Sequence, residues 1–292
     1  MQLTEKGNPF FASDPLHTEA GTPYLTGPGI ALIAKPAVDL SGTIPFLSGF
    51  QGTNFEEYLS DPVSLPDGET LCKFSGQLCY MSLGNKRSWN KDAEGYIAHI
   101  KESGHGSVFE HANYSMLWYG VSRSLTHELV RHRAGFGYSQ VSQRYVSGKL
   151  LRFVERPEYQ RSPVLHALFV DRIDRAAHDY EQTAQELLAM QSEGNEILSG
   201  ERKTDERKKV NQAARSSLPN ETETAIVVTA NARGWRHMIE MRANGGAEIE
   251  IREAAYLSWL CLKEVAPLLF GDYESVVLED GTRAVQTKTR KV

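Results

Sequence analysis

Side chains that can hold an anion are concentrated between Arg131 and Arg144. These fourteen residues contain three arginines, one histidine and five neutral hydrogen-bonding side chains. Because each buried donor needs a partner, a run of this kind is unfavourable in a hydrophobic core. A guanidinium presents a fixed fork of donors that matches a phosphate group. The run therefore predicts a site for an oxygen-rich anion, whereas a single arginine would indicate only a solvated helix end.

A short helix must position this run, and the sequence predicts one from about Ser122 to His132. Leucines four residues apart give it an apolar stripe, and Ser122 or Ser124 is a suitable N-cap. Two glycines then favour a tight turn, so the helix is expected to stop near Ala134–Gly137. Arg131-His132-Arg133 would lie where the helix ends and a loop begins.

A second arginine-rich segment follows a predicted strand at Thr222–Ala230. Asn231 is a suitable N-cap for a helix that carries Arg233, His237 and Arg242. Taken alone, a histidine inside such a helix is more often packed than ligand-binding, and an arginine there can simply be exposed. Arg215 closes another charged helix just before a loop that can present it. The residues alone indicate an anion site built from two arginine-rich segments.

The remaining pattern predicts an α/β (α+β) fold with one main domain at residues 29–282. Residues 1–28 are interpreted as a loosely held N-terminal extension, and residues 283–292 as a frayed basic tail. Further strands are predicted at 29–38, 108–121 and 146–154. Further helices are predicted at 93–103, 162–190, 201–215 and 247–269. A hairpin is predicted at 272–282, with Asp280-Gly281 as its turn.

The composition restricts the class of protein. The net charge of −5 gives no global attraction to nucleic acid or to a membrane, so any anion site must be local. No apolar run is long enough to span a bilayer, and the N-terminus lacks a signal-peptide pattern. Three cysteines form no even framework, which fits a reducing cytoplasm. None has a cation or histidine beside it to activate the thiol, so all three are expected to be buried.

Two other kinds of function are compatible with these residues. A metal-dependent hydrolase would use His105, Glu110 and His111, but no third and fourth ligand follow at a typical spacing. A non-catalytic nucleotide- or RNA-binding protein would use the arginine-rich loop. The negative net charge and the lack of an RNA-binding motif disfavour it. Bound metal in the purified protein would support the hydrolase.

Arg131-His132-Arg133, eight residues and then Ser142-Gln143-Arg144 resembles the signature of the flavin-dependent thymidylate synthases, the ThyX class. GHGSVFEH and HELVRHR upstream, and NARGWRHMIEMR downstream, resemble the same family in the same order. The resemblance covers residues 71–281. It implies a ThyX-type fold in which long helices flank a mixed or antiparallel sheet.

The resemblance also implies an activity: methylation of dUMP at C5 of the uracil to give dTMP, without a cysteine nucleophile. The carbon donor would be 5,10-methylenetetrahydrofolate, and FAD reduced by NADPH would supply electrons. The resemblance further implies a homotetramer whose sites are shared between subunits. The cysteine pattern and the net charge predict a cytoplasmic protein with no nucleic-acid or membrane partner, and no metal is expected.

Site residues follow from the resemblance position by position. Arg242 would stabilise charge on the uracil, and His105 is similar to the family histidine close to the flavin ring. The implied dUMP contacts are Glu128, Leu129, Val130, Arg131, Gln140, Val141, Ser142, Gln143, Arg144, Arg215 and Arg242. The implied FAD contacts are Ser107, Arg131, His132, Arg133, Gln140, Asn231, Ala232, Arg233 and His237. The chain departs from the family at Gln140, where others have Glu, and at Gly245-Gly246, where many have His.

Overall fold

The computed structural model describes residues 1–60, 64–84, 93–146, 148–192 and 203–289. Strands are β1 (Gln2–Leu3), β2 (Pro9–Phe11), β3 (Leu16–His17), β4 (Pro23–Leu25), β5 (Gly29–Ala34), β6 (Asn113–Tyr119), β7 (Phe136–Gln140), β8 (Phe153–Val154), β9 (Ile226–Asn231), β10 (Glu274–Val277) and β11 (Arg283–Gln286). Helices are α1 (Ile44–Leu47), α2 (Asp67–Cys79), α3 (Ala93–Glu102), α4 (Arg123–Leu129), α5 (Pro157–Gln160), α6 (Pro163–Ser192), α7 (Lys203–Ala214), α8 (Ala232–Arg242), α9 (Ile249–Val265) and α10 (Pro267–Phe270).

A six-stranded antiparallel sheet, in the order β1-β2-β5-β6-β9-β7, organises the molecule. Burial alternates along β6 and β9, as expected for a sheet that packs on one face. Their buried side chains, which include Trp118 and Val228, join Trp235 of α8 and Trp259 of α9 in the main core. A second sheet, β3-β4-β8, contains one parallel pair, so the predicted mixed or antiparallel arrangement is confirmed.

The N-terminal segment is part of the fold, so the prediction that residues 1–28 are loosely held is wrong. Phe10 pairs with Ala31, which joins β2 to β5 in the main sheet, and β1 pairs with β2 to form the edge on that side. Tyr24 pairs with Phe153, and both pack against α6 in a second core. These strands have two or three residues each, too few to produce a readable alternation in the sequence.

Several predicted elements are confirmed, with shifts at their ends. The long helix predicted at 162–190 is α6, and the strand predicted at 29–38 is β5. Among the described residues of the strand predicted at 146–154, only the last two form a strand, so most of that prediction is wrong. The strand predicted at 108–121 begins only at Asn113, because residues 106–110 form a 3-10 helix. The start of the helix predicted at 201–215 lies outside the described residues.

The C-terminal segment is also ordered, so the predicted fraying from Arg283 is wrong for residues 283–289. The predicted hairpin is present, and Gly281 has the positive φ of +79° that its turn requires. Beyond β11, Thr287 donates its hydroxyl proton to Asp272 at 2.9 Å. The same carboxylate receives a bidentate pair from the buried Arg236 of α8, at 2.6 and 2.8 Å. This contact fixes α8 against the C-terminal hairpin. No helix in the described part of the chain is long and apolar enough to cross a membrane.

Candidate active site

Helix α4 starts from a fixed point in the core. Ser122 is its N-cap, and the serine Oγ accepts a hydrogen bond from Leu125 N at 3.1 Å, as predicted. Ser122 also donates to the buried carboxylate of Glu250 at the start of α9. The helix ends at Leu129, earlier than the predicted stop near Ala134–Gly137. Arg131-His132-Arg133 therefore lies in a turn after the helix, and β7 begins only three residues later.

Strand β7 is the element that sequence reasoning missed, since its polar run was interpreted as loop. It is the edge strand of the main sheet and pairs with β9 from Phe136↔Ala230 to Gln140↔Ile226. The strand carries Tyr138 back over the turn, where its hydroxyl lies 2.9 Å from Leu129 O and 2.8 Å from His132 O. A hydroxyl donates one proton, so it serves one carbonyl at a time. Tyr138 thereby holds the backbone of the Arg-His-Arg turn.

The two arginine-rich segments meet at Arg242, the last residue of α8. Its Nε donates to Nε2 of His132 at 3.0 Å, and its Nη1 donates to Oε2 of Glu128 at 2.7 Å. Its Nη2 lies 3.4 Å from the backbone oxygen of Glu128. The guanidinium is about one-quarter exposed and the carboxylate about one-third, at 23% and 34%. The structure thus brings Arg242 together with two residues that lie 110 and 114 positions earlier in the chain.

His132 lies in a half-buried pocket among rings and cations. Its ring is 5.7 Å from that of His237 and 5.9 Å from that of Phe136. Burial, followed by the positive charge of Arg242 and then by His237, lowers the pKa of His132 to about 4. The imidazole is therefore neutral at neutral pH, and its Nε2 has the lone pair that the Arg242 donor requires.

The start of α8 is formed by Asn231, whose Oδ1 accepts from Gly234 N at 2.8 Å, as predicted. Gly135 passes so close that a Cβ there would lie 2.9 Å from Asn231 Nδ2, and its φ is +76°. Only glycine adopts this conformation readily and leaves this space. The backbone after the Arg-His-Arg turn therefore lies directly against the N-terminus of α8.

An exposed ion pair joins α8 to the segment before β6. Arg233 donates to Glu110 at 2.5 Å, and both side chains are about half exposed. Glu110 closes the 3-10 helix that contains Ser107 and follows His105. Sequence reasoning considered this glutamate only as a metal ligand. No group of three His, Cys, Asp or Glu that could hold a metal lies among the described residues, so the hydrolase alternative has no ligand set there.

The predicted flavin contacts fit a large anionic cofactor on this surface. The side chains of His105, Ser107, Arg131, Arg133, Arg233 and His237 are exposed. Three of these are guanidinium groups suited to phosphate oxygens. The missing Cβ of Gly135 leaves the backbone open beside the N-terminus of α8, where anions are favoured. The donors therefore suit the phosphate groups of an anionic cofactor.

The predicted dUMP residues from Gln140 to Arg144 lie at the end of β7 and in the segment after it. Gln140 ends β7 and donates to Thr126 Oγ1 of α4 at 3.3 Å. Arg144 lines a cleft of about 1020 Å³ together with Tyr145, whose ring it approaches to 5.8 Å. The contacts described for the chain do not join it to the Arg242 group. Gln143 also belongs to this segment, and its amide nitrogen is buried without a partner.

Arg215 lies near Arg123, the first residue of α4. Burial lowers the pKa of Arg123, and the positive charge of Arg215 lowers it further. Glu128 lies at the opposite end of α4. Among the contacts described within one chain, those of Arg242 reach the end of α4, and none joins Arg144 or Arg215 to that group.

The cysteines are only partly as predicted. Cys72 and Cys261 are buried, and burial raises the pKa of each thiol to about 12. Cys79 is exposed, so the prediction that all three are buried is wrong for this residue. Its thiol donates to the backbone oxygen of Ser75 at 3.3 Å. All three cysteines are free thiols. An activated nucleophile would need a lowered thiol pKa, whereas burial raises the pKa of Cys72 and Cys261.

The family described as thymidylate synthase complementing protein, Thy1, matches residues 63–268. The chain belongs to this family. The match contains every motif that carries the resemblance. The flavin-dependent thymidylate synthase of Mycobacterium tuberculosis strain H37Rv is 43% identical over 216 residues, which cover 74% of this chain and 83% of the relative. The protein of the same description from Mycobacterium leprae strain TN is 41% identical over 215 residues, with 74% and 84% covered.

A solved structure confirms the fold. The chain is similar to a UMP/dUMP methylase, PolB, from Streptomyces cacaoi, bound with 5-Br dUMP. The TM-score is 0.56 at 18% identity, and the match covers 84% of this chain and 94% of that protein. The predicted ThyX-type fold is therefore confirmed, and residues 1–62 lie outside the family match.

Proposed function

We propose that this Thy1 protein is a flavin-dependent thymidylate synthase. It methylates dUMP at C5 to give dTMP, takes the carbon from 5,10-methylenetetrahydrofolate and depends on FAD that NADPH reduces. The observation that supports this best is the meeting of Arg242 with Glu128 and His132, which joins the downstream and upstream motifs in one group. The relatives named above carry the same enzyme name.

Arg242 has the central chemical role in this proposal. Uracil becomes reactive at C5 when negative charge on N3 and the carbonyl oxygens is stabilised. A fixed guanidinium can do this without moving a proton of its own. Loss of one such preorganised donor typically costs about 2.7–4 kcal/mol in the barrier, or about 10²–10³-fold in rate.

The phosphate of dUMP would be held by arginines, with Arg131, Arg144 and Arg215 as the candidates. Charge-assisted hydrogen bonds contribute about 1.5–3 kcal/mol each. Within one chain Arg144 and Arg215 are separated from the Arg242 group, which favours a site completed by other subunits. We therefore infer a homotetramer in which Gln140, Val141, Ser142, Gln143 and Arg144 of one subunit face Glu128, Leu129, Val130 and Arg131 of another.

The cofactor would be held by residues around the start of α8. The exposed ones are Ser107, Arg131, Arg133, Arg233 and His237, with His105 close to the flavin ring, and the partly or fully buried ones are His132, Gln140, Asn231 and Ala232. FAD supplies the redox chemistry when it is bound. The protein orients the ligands, stabilises charge and excludes water. Its buried thiols are not needed, since a nucleophilic cysteine would require an activated thiolate.

The experiment is a spectrum followed by a kinetic assay. The purified protein should show a flavin absorption band, and dUMP with methylenetetrahydrofolate should oxidise its reduced flavin and release dTMP. The triple variant Cys72→Ala, Cys79→Ala, Cys261→Ala should keep this activity if it folds, whereas a thiol-dependent synthase would lose it. A protein that takes up no FAD, or that oxidises its reduced flavin without dependence on dUMP, would contradict the proposal. Folate, NADPH and a cytoplasmic location are part of the same proposal.

A further inference from the structure

The Arg242 guanidinium is held by a single neighbouring segment, the end of α4 and the turn after it. Three of its nitrogens each contact an acceptor there: Nε contacts His132 Nε2, Nη1 contacts the Glu128 carboxylate, and Nη2 contacts the Glu128 carbonyl. A guanidinium has five N–H donors, so two remain for a ligand. We call Arg242, His132 and Glu128 together the Arg242 clamp. The clamp orients the guanidinium before any substrate arrives.

We propose that His132 is a positioning residue for the reaction, whose Nε2 lone pair fixes the Arg242 guanidinium in the orientation that stabilises charge on the uracil. The inference rests on the proposed function, because it assigns His132 a role in that reaction. It differs from the flavin contact that the family resemblance implies for His132. A flavin contact acts on the cofactor, whereas a positioning residue acts only through Arg242.

The hydrogen bond imposes one protonation state. Because Arg242 Nε–H is the donor, His132 Nε2 must be an acceptor, and the imidazole proton must be on Nδ1. The charged and titratable groups around the ring are Arg242 and His237 of α8, and Glu128 on the other side of the guanidinium. Protonated Nε2 would lose its lone pair and face a cation. The low pKa of His132, about 4, keeps the acceptor available at neutral pH.

The ring itself is held in place from other directions. Phe136 of β7 packs 5.9 Å from it, and the Tyr138 hydroxyl contacts the backbone oxygen of His132 at 2.8 Å. The acceptor therefore has a fixed position, which is the property that a positioning residue needs. Preorganised orientation is what makes a charged group effective in a transition state.

Two substitutions of His132 separate its acceptor from its bulk. His132→Leu removes the lone pair, and we expect the rate constant for dUMP-dependent flavin oxidation to fall about 10- to 100-fold, as for loss of one charge-assisted hydrogen bond. The KM for dUMP should change less, because the orientation matters most when charge develops. His132→Gln places an amide oxygen near the position of Nε2 and should recover most of the rate.

A double-mutant cycle with Arg242→Ala decides whether His132 acts through Arg242. In that background His132→Leu should cost less than about 2-fold, since nothing remains to be positioned. His237→Leu is the matched control: this histidine is also an implied flavin contact on α8, and its described contact is with the His132 ring. Its cost should be similar in both backgrounds. Binding of FAD, followed by its absorption band, is measured for every variant.

The pH dependence gives a readout that a purely structural role would not affect. As the pH falls towards 4, His132 gains a proton and the wild-type rate constant should fall. His132→Gln should lack this fall in rate at low pH, whereas His99→Gln, an exposed control on α3, should keep it. Independently of activity, the NMR titration of His132 should move to higher pH in Arg242→Ala, because a neighbouring cation is removed.

The outcomes distinguish the two proposals. A wild-type protein without dUMP-dependent flavin oxidation overturns the proposed function. An active wild type in which His132→Leu costs the same with and without Arg242 overturns only the positioning role. If His132→Leu does not fold, a fall in rate at low pH that persists in His132→Gln would also overturn the positioning role.

Discussion

The buried carboxylate of Glu250 accepts two hydrogen bonds from Ser122, one from the backbone N–H at 2.6 Å and one from the hydroxyl at 2.7 Å. This contact ties the N-cap of α4 to the first turn of α9. Burial, the largest cause, raises the pKa of Glu250 although the Ser122 bonds act in the opposite direction. The same helix carries Glu128 at its other end, so the contact sets the position of the Arg242 clamp.

Two substitutions at Glu250 should have different effects. Glu250→Ala leaves the Ser122 N–H without its partner, and we expect a loss of about 1–3 kcal/mol in the free energy of unfolding. Glu250→Gln can keep both contacts, because the serine hydroxyl can accept from the amide. Because the folded pKa is raised, the contribution of Glu250 is present below its ordinary pKa and lost as the pH rises through the folded value. Glu250→Gln should remove that loss in denaturant titrations, and equal destabilisation by both variants would contradict this account.

Glu69 offers a second test in which the pH range is defined. It is fully buried, and Oε1 accepts from Leu268 N of α10 at 2.7 Å. Burial raises its pKa from 4.5 to about 7. Its contribution to stability is therefore present below pH 4.5 and lost as the pH rises through 7, on the order of 3 kcal/mol in all. Glu69→Gln should flatten the melting temperature across this range, while the exposed control Glu94→Gln should not.

Substitution of Gly135 should loosen the start of α8. Gly135→Ala places a non-glycine residue at a φ of +76° and a Cβ 2.9 Å from Asn231 Nδ2. The backbone alone costs about 1–2 kcal/mol, and the collision disturbs the N-cap. We expect a lower melting temperature and weaker FAD binding. Gly281→Ala has a similar φ of +79° with nothing within 4 Å, so it measures the backbone cost alone. Equal effects on FAD binding would argue against a role for Gly135 in the site.

The geometry of the Arg242 donor should matter as well as its charge. Arg242→Lys keeps one positive charge but loses the fork that contacts His132 and Glu128 together. We expect a fall of about 10²-fold in dUMP-dependent flavin oxidation, with FAD still bound. The exposed Arg175 of α6, substituted in the same way, should have no effect. Full activity of Arg242→Lys would show that charge alone is sufficient.

Sites shared between subunits should allow complementation. Arg144→Ala and Arg242→Ala should each be inactive, because each removes an arginine of the proposed dUMP site. When the two variants are dissociated, mixed and reassembled, some sites should combine the intact Arg144 of one subunit with the intact Arg242 of another. A measurable part of the activity should then return. Each variant reassembled with itself is the control, and no recovery in the mixture would contradict a shared site.

Local signals made much of the site predictable. The Ser122 and Asn231 caps are encoded by residue type, and both are present where predicted. The resemblance assigned Arg242 and His132 to different ligands, dUMP and FAD. Their hydrogen bond was not predicted, because it joins residues 110 positions apart. Only the packing of α8 against β7 and the end of α4 creates it.

Other features depend on tertiary contacts that the sequence pattern does not reveal. Strand β7 contains Gly137 and several polar side chains, and it is extended because β9 offers a partner. No feature of the sequence near Glu110 indicates that this residue pairs with Arg233. The N-terminal strands are too short to show periodicity and are defined by β5 and β8. In each case the deciding interaction is non-local.

The order of the main sheet separates two kinds of variation. The N-terminal strand β2 and the signature strand β7 lie on opposite sides, with β5, β6 and β9 between them. Four strand spacings amount to about 19 Å. The N-terminal strands can therefore differ in length among homologues without a change on the other side of the sheet, where β7 and the arginines that flank it lie.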